Sequence, residues 1–291
     1  MVRFERILCP LDFSEFSARA YDYAQSLAAR YKSRLYLQHI IEPAFSAYPG
    51  VEFPDSIGQV YREIRLHAED ALKEFVKKHT REGLHPQWSV EDGHIPAMIL
   101  GFAEKEQIDL IVMGTHGRRG LDHLLLGSVT EKVLRKSRCP VLVVGRPAND
   151  RTGTAEPIQL RKIFYCTDFS QNSERALGYA LSLAEEFGAQ LTLLHVVEDF
   201  PLSKDLSTLT AEIVSQLEAM VPSDVRGKGK IRSRLRVGKP HEEIIREAAE
   251  NAADLIIVAV RGRHLLDLAL FGSTTHRVIQ RGPCPVLVVH I

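Results

Sequence analysis

Residues 7–24 read "ILCPLDFSEFSARAYDYA". A short apolar run closes at Asp12, and a helical pattern follows through "SEFSARAYDYAQSLAARYK" (14–32). That is the signature of a buried strand feeding an amphipathic helix. The same unit returns at 163–180 as "IFYCTDFSQNSERALGYA", 156 residues further on, with Asp168 in the place of Asp12. His39 and Glu42 find His195 and Glu198 at the same offset. Gly117 matches Gly262 at an offset of 145, and two "CPVLVV" stretches at 139–144 and 284–289 do the same. The 11-residue difference places an insertion in the first half within 43–80, where "PAFSAYPGVEFPDS" reads as a loop before a helix. The chain is one fold used twice.

Working outward, the first half alternates apolar strand-sized runs with helical patterns. Strands are expected at "RILCPLD", "RLYLQHII", "WSVEDG", "DLIVMG" and "PVLVVG". Helices are expected at 14–32, near 56–79, at "IPAMILGFAEKEQ" and at "SVTEKVLRKS". Five strands and four helices per half predict an α/β fold: two doubly wound, open parallel sheets covered on both faces. The expected division is a first domain over 1–146, a polar linker over 147–158 and a second domain over 159–291. The identical apolar segments 140–144 and 285–289 are sheet-edge candidates, so the halves are expected to pair through them as an intramolecular pseudo-dimer.

The 291 residues suit two cores. Lys plus Arg equals Asp plus Glu at 37 each, which argues against a general nucleic-acid binder. The longest apolar runs, such as "LIIVAV" (255–260), are too short for a membrane span, and "MVRFERILCPLD" lacks a signal-peptide core, so a cytoplasmic protein is expected. Cys9, Cys139, Cys166 and Cys284 form no CxxC pair and read as small buried hydrophobes.

In such sheets ligands bind beyond the carboxyl ends of the strands, where strand order reverses. Asp12 and Asp168, His39 and His195, and the glycine stretches "MGTHGRRGLDHLLLGSVTEKV" (113–133) and "VAVRGRHLLDLALFGSTTHRV" (258–278) lie there. Gly114 is expected to let a ligand approach the backbone, and Gly117 to form a turn with amides facing inward. Ser128 with Glu131 fits a capping box, placing a helix N-terminus suited to phosphate beside them. Singly, these glycines read as turns and Ser128 as a cap; repeated at the correct strand end in both halves, they read as a split phosphate cradle. P-loop, dinucleotide-fold and nucleophile-elbow spacings are absent. His94, His116 and His123 lack zinc-ligand spacing, so no metal-ligand set is expected among them, and for His39 and His195 a structural hydrogen bond is the expected role.

The spacing Gly-x2-Gly-x9-Gly-Ser, here Gly114, Gly117, Gly127 and Ser128, resembles the nucleotide-binding signature of universal stress proteins. The Asp closing the first strand, "HII" and "HVV" closing the second, and "EKVLRKSRCPVLVV" resemble the same family, twice along the chain. The resemblance implies an ATP site, with Mg²⁺, in the first half. Pro10, Leu11, Asp12 and Ile40 would surround adenine and ribose, Met113 and Gly114 the ribose, and Gly117, Gly127, Ser128 and Val129 the phosphates. Arg118 and Arg119 would either add charge or remain solvated on the loop. Asp12 would hold a ribose, help hold a metal ion, or only start a helix. The function implied is a nucleotide-responsive stress or regulatory module with a protein partner, without a dedicated catalytic constellation, and at most slow ATP hydrolysis or autophosphorylation. A further homodimer of the tandem chain is open. The competing reading is a non-nucleotide scaffold that binds a protein or an apolar ligand.

The second half keeps Asp168, Gly262, Gly272 and Ser273 but has Ala259 for Gly114, Arg261 for His116, Cys166 and Thr167 for Pro10 and Leu11, and Thr275-His276 where the capping box would be. A weaker or altered second site, with Val196 and Thr274 completing it, is expected.

Overall fold

The computed structural model describes residues 2–42, 55–117, 126–145, 157–198, 205–225, 230–260 and 272–290. Residues 43–54 of the Pro- and Ser-rich loop, Arg118, Arg119, His123, most of the expected linker, Arg261 and Gly262 lie outside them. In the first half the order is β1 (Arg6–Pro10), α1 (Glu15–Tyr31), β2 (Arg34–Ile41), α2 (Asp55–His79), β3 (Gln87–Asp92), α3 (Ile95–Lys105), β4 (Leu110–Gly114), α4 (Ser128–Lys136) and β5 (Val141–Val144). The second half repeats it as β6 (Lys162–Cys166), α5 (Gln171–Phe187), β7 (Gln190–Val197), α6 (Leu206–Met220), β8 (Ile231–Val237), α7 (Pro240–Glu250), β9 (Leu255–Ala259), α8 (Ser273–Arg281) and β10 (Val286–Val289). Every expected strand and helix of the first half is present. Much of the inserted length is helical, α2 having 25 residues and α6 15.

The ten strands form one sheet in the order β3-β2-β1-β4-β5-β10-β9-β6-β7-β8. Within each half all pairs are parallel; only β5 and β10 run antiparallel, and they join the halves. Leu142 faces Leu287, while Val143 faces Val286 and Val141 faces Val288. Each of these is the other's repeat mate or its mirror, so a pseudo-two-fold axis passes between the two leucines. The contact is that of an isologous dimer within one chain. Pairing removes two apolar edges from solvent, and all four residues of each strand are buried.

Side chains on one face of the sheet form a core that runs through both halves, from Tyr21 and Leu37 to Tyr165 and Leu193. α1 and α5 meet on it: Arg30 bonds Glu186, its own repeat mate, at 3.0 Å, and its guanidinium lies 4.9 Å from the Phe187 ring centroid. A second cluster joins α3, α4, α7 and α8 to the strands and includes Ile99 of α3, Met113 of β4, Ile244 of α7 and Val258 of β9. A third is built by the first half alone from Leu11, Leu72 and Val90. Burial raises the thiols of all four cysteines, Cys166 to about 12, consistent with packing rather than chemistry.

Candidate functional site

Strand order in the first half reverses between β1 and β4, which leaves a crevice above their carboxyl ends. A cavity of about 960 Å³ opens there, within the size range of small-molecule sites.

The turn after β1 is built the same way in both halves. Asp12 Oδ1 accepts from the Ser14 amide at 3.0 Å and the Ser14 hydroxyl at 2.6 Å. Ser14 in turn caps α1 at the Ser17 amide. Between them Phe13 takes a left-handed φ of 62°, costly for an aromatic residue, and its ring lies 4.6 Å from that of His39. His39 Nδ1 is 2.7 Å from the Leu11 carbonyl oxygen. In the second half Phe169 has φ 60°, its ring is 4.5 Å from His195, and His195 Nδ1 is 2.9 Å from the Thr167 carbonyl. Both histidines thus brace a turn. Burial alone would raise the Asp168 carboxyl, but hydrogen bonds from Ser170 and Ser173 outweigh it and hold it below the usual range.

At the other side of the crevice α4 begins differently from the reading as a capping box. Its N-cap is Gly127, with no side-chain cap, and Ser128 is already helical. Glu131 turns outward to Arg135, 2.7 Å away, instead of back to the helix end. Glycine at the cap leaves the first-turn amides without a side-chain acceptor, so the positive end of α4 points into the crevice. Gly272 caps α8 in the same bare manner. The difference expected between the halves at Thr275-His276 therefore does not exist, because neither helix has a capping box.

The glycines have separate reasons. A Cβ on Gly114 would lie 2.8–3.0 Å from Cβ, C and O of Phe16, so this glycine lets α1 sit against β4. That corrects its expected role: the missing side chain makes room for α1, although the residue also lines the cavity. A Cβ on Gly117 would come within 2.5 Å of Asp12 Oδ2, and one on Gly127 within 3.0 Å of the Thr115 carbonyl oxygen. Gly117 thus lies over the Asp12 carboxylate. Gly127 lies against the end of the strand, bonding the Thr115 carbonyl through its amide at 2.8 Å. Thr130, buried, ties α4 to β4 through the Gly114 carbonyl at 2.8 Å.

Of the expected first-half residues, Pro10, Leu11, Asp12, Ile40, Met113, Gly114, Gly117, Gly127, Ser128 and Val129 all line this one cavity. Arg118 lies outside the described residues. Sequence reasoning missed the apolar wall given by Ile95 and Ile99 of α3, the wall given by Ile64 and Ala68 of α2, and Gln38 of β2. Gln38 carried a signal, a polar residue inside the apolar run "RLYLQHII"; the helix residues carried none, since an amphipathic pattern does not say which apolar position borders a cavity. In the second half Asp168, Val196, Gly272, Ser273 and Thr274 stand at the corresponding strand and helix ends. Thr167 there sends its hydroxyl to Ser173 at 2.9 Å, where Leu11 joins an apolar cluster. No group of three potential metal ligands, and no helix long and apolar enough to cross a membrane, occurs among the described residues.

The universal stress protein family matches residues 3–145 and again 159–290, and the chain belongs to that family. A universal stress protein of Methanocaldococcus jannaschii is 32% identical over 147 residues, 50% of this chain and 85% of that protein. One of Mycolicibacterium smegmatis is 26% identical over 296 residues, 97% of this chain and 96% of its own length, and so shares the tandem arrangement. A solved universal stress protein from Archaeoglobus fulgidus has the same fold over 99% of both chains, with a TM-score of 0.70 at 22% identity.

Proposed function

We propose that the first-half cavity of this tandem universal stress protein holds ATP, and that nucleotide occupancy sets how the chain contacts a regulatory protein partner in the cytoplasm. One observation carries this reading. A single cavity joins an apolar slot, between Ile40, Ile99 and Met113, to an uncapped helix N-terminus flanked by Gly117 and Gly127. The slot suits a purine ring; the helix end and the close backbone suit phosphates. Asp12, with Oδ2 toward Gly117, lies where a carboxylate would join the phosphates on Mg²⁺, an ion that often takes one or two carboxylates and leaves its other positions to phosphate and water. The roles of Pro10, Leu11, Ser128 and Val129 follow from their places along the same wall. The second half, through Asp168, Val196, Gly272, Ser273 and Thr274, is read as a weaker site.

The test uses full-length protein. Mass spectrometry of small molecules released on denaturation, followed by calorimetric titration with MgATP up to millimolar concentration, is expected to give adenine nucleotide and one tight site per chain. A released lipid, or no heat of binding at millimolar ATP, overturns the reading in favour of a non-nucleotide scaffold.

A further inference from the structure

Gln38 is 1% exposed and lines the cavity, yet neither its Oε1 nor its Nε2 has a hydrogen-bond partner among the described residues. A buried carboxamide with both ends unmet is costly, and native structures keep such groups where something else meets them. The fold does not require a polar group at this position. The second half has Leu194 there, also 1% exposed and part of an apolar cluster. Register offers Gln38 little: its neighbour on β1 is Pro10, and on β3 it is Ser89, whose own buried hydroxyl also lacks a partner. One hydroxyl can meet one end of a carboxamide but not both.

We infer that Gln38 reads the base of the bound nucleotide, an inference that rests on the adenine-nucleotide reading of the cavity. Nε2 donates to a ring nitrogen of adenine, and Oε1 accepts from the exocyclic N6 amine. A carboxamide matches this donor–acceptor pair in the way glutamine and asparagine pair with adenine edges elsewhere. The side chains of Ile40, Ile99 and Met113 on the same cavity wall carry no oxygen or nitrogen acceptor for an additional amine such as that of guanine. Gln38 is therefore a specificity-determining residue, absent from the second half because Leu194 replaces it.

Calorimetry on the full chain with ATP, GTP and purine riboside triphosphate, which lacks the N6 amine, tests this. Wild type is expected to bind ATP at least about tenfold more tightly than the other two, the discrimination typical of a bidentate base contact. In Gln38→Leu, the residue the second half already accommodates, that preference is expected to shrink to within about twofold while affinity for inorganic tripolyphosphate is unchanged. Ser89→Ala is expected to keep the preference. Equal wild-type affinity for ATP and the purine analogue overturns the inference without any variant. So does an undiminished preference in Gln38→Leu, or a collapse in Ser89→Ala as large as in Gln38→Leu. Any of these leaves the nucleotide site itself standing, whereas failure of wild type to bind any of the three nucleotides removes both.

Discussion

The two halves of the chain share a backbone and diverge at the strand ends. They agree at Asp12 and Asp168, at the left-handed Phe13 and Phe169, at the carbonyl-bonded His39 and His195, and at the serine caps Ser14 and Ser170. They differ where the first-half cavity is lined or framed: Gln38 against Leu194, Gly114 against Ala259, Leu11 against Thr167, and a Gly127 pressed on Thr115 against a Gly272 that meets nothing within 4 Å among the described residues. The shared residues fold the strand-to-helix turn, and a duplicated sheet needs that turn twice. The divergent ones line or frame the first-half cavity. Motif residues such as Asp12 and His39 therefore report the fold whether or not a site is present, and a difference in ligand binding between the halves has to be sought in the residues that only one half has.

The strongest way to break this comparison is a bulky residue at Gly117. Gly117→Val pushes a side chain against Asp12 Oδ2, the end of a side chain that can move, so the fold should survive. ATP affinity should fall on the order of a hundredfold, about 2.7 kcal/mol. Unchanged affinity by calorimetry would show that the cavity does not place phosphate beside Gly117.

Next comes Gly114→Ala, which copies the second half into the first. Its methyl meets backbone atoms of α1, so urea unfolding should show a loss of about 1–3 kcal/mol, the usual cost of overpacking. The reciprocal Ala259→Gly should not create a second ATP site, because Ala259 packs on the core cluster that holds Ala176 and Leu177 of α5, as Gly114 faces α1. A second equivalent of nucleotide bound by Ala259→Gly would contradict that account.

A further asymmetry is His290, whose counterpart is Gly145. Its Nε2 lies 2.6 Å from the Leu134 carbonyl across the joint between halves, and burial lowers its pKa below 6.5. The unfolded chain then binds the proton more readily, so stability present at pH 7 falls as pH drops through 6.5 towards the folded value. Thermal melts should show lower stability at pH 5 than at pH 7 from this residue, and His290→Asn should flatten the dependence. A dependence as steep in the variant as in wild type would assign it elsewhere.

The smallest effect separates the two kinds of helix start. Ser14→Ala and Ser170→Ala each remove a cap and should cost about 1 kcal/mol, whereas Ser128→Ala removes none and should change stability by less than about 0.5 kcal/mol. Equal losses at Ser14 and Ser128 would restore the capping box.

Much was legible without coordinates. Period and offset placed the repeat, every strand and helix of the first half, and the pairing of 140–144 with 285–289, because burial on both faces of a parallel sheet writes itself as short continuous apolar runs. The ten expected first-half residues that are described line one cavity because they sit at strand ends, and strand ends can be counted along a chain. What the pattern could not determine was direction. Ser128 spaced three residues from Glu131 looks like a cap, but Gly127 begins the helix and Glu131 finds Arg135. Gly114 looks like a ligand contact, but its empty side faces Phe16. Gln38 looks like an interruption in an apolar strand, and only the tertiary structure places its unmet carboxamide on the cavity wall. Local spacing determines which residues share an element and a strand end; which neighbour a side chain or a missing Cβ faces depends on elements distant in sequence, and that is decided only when they pack.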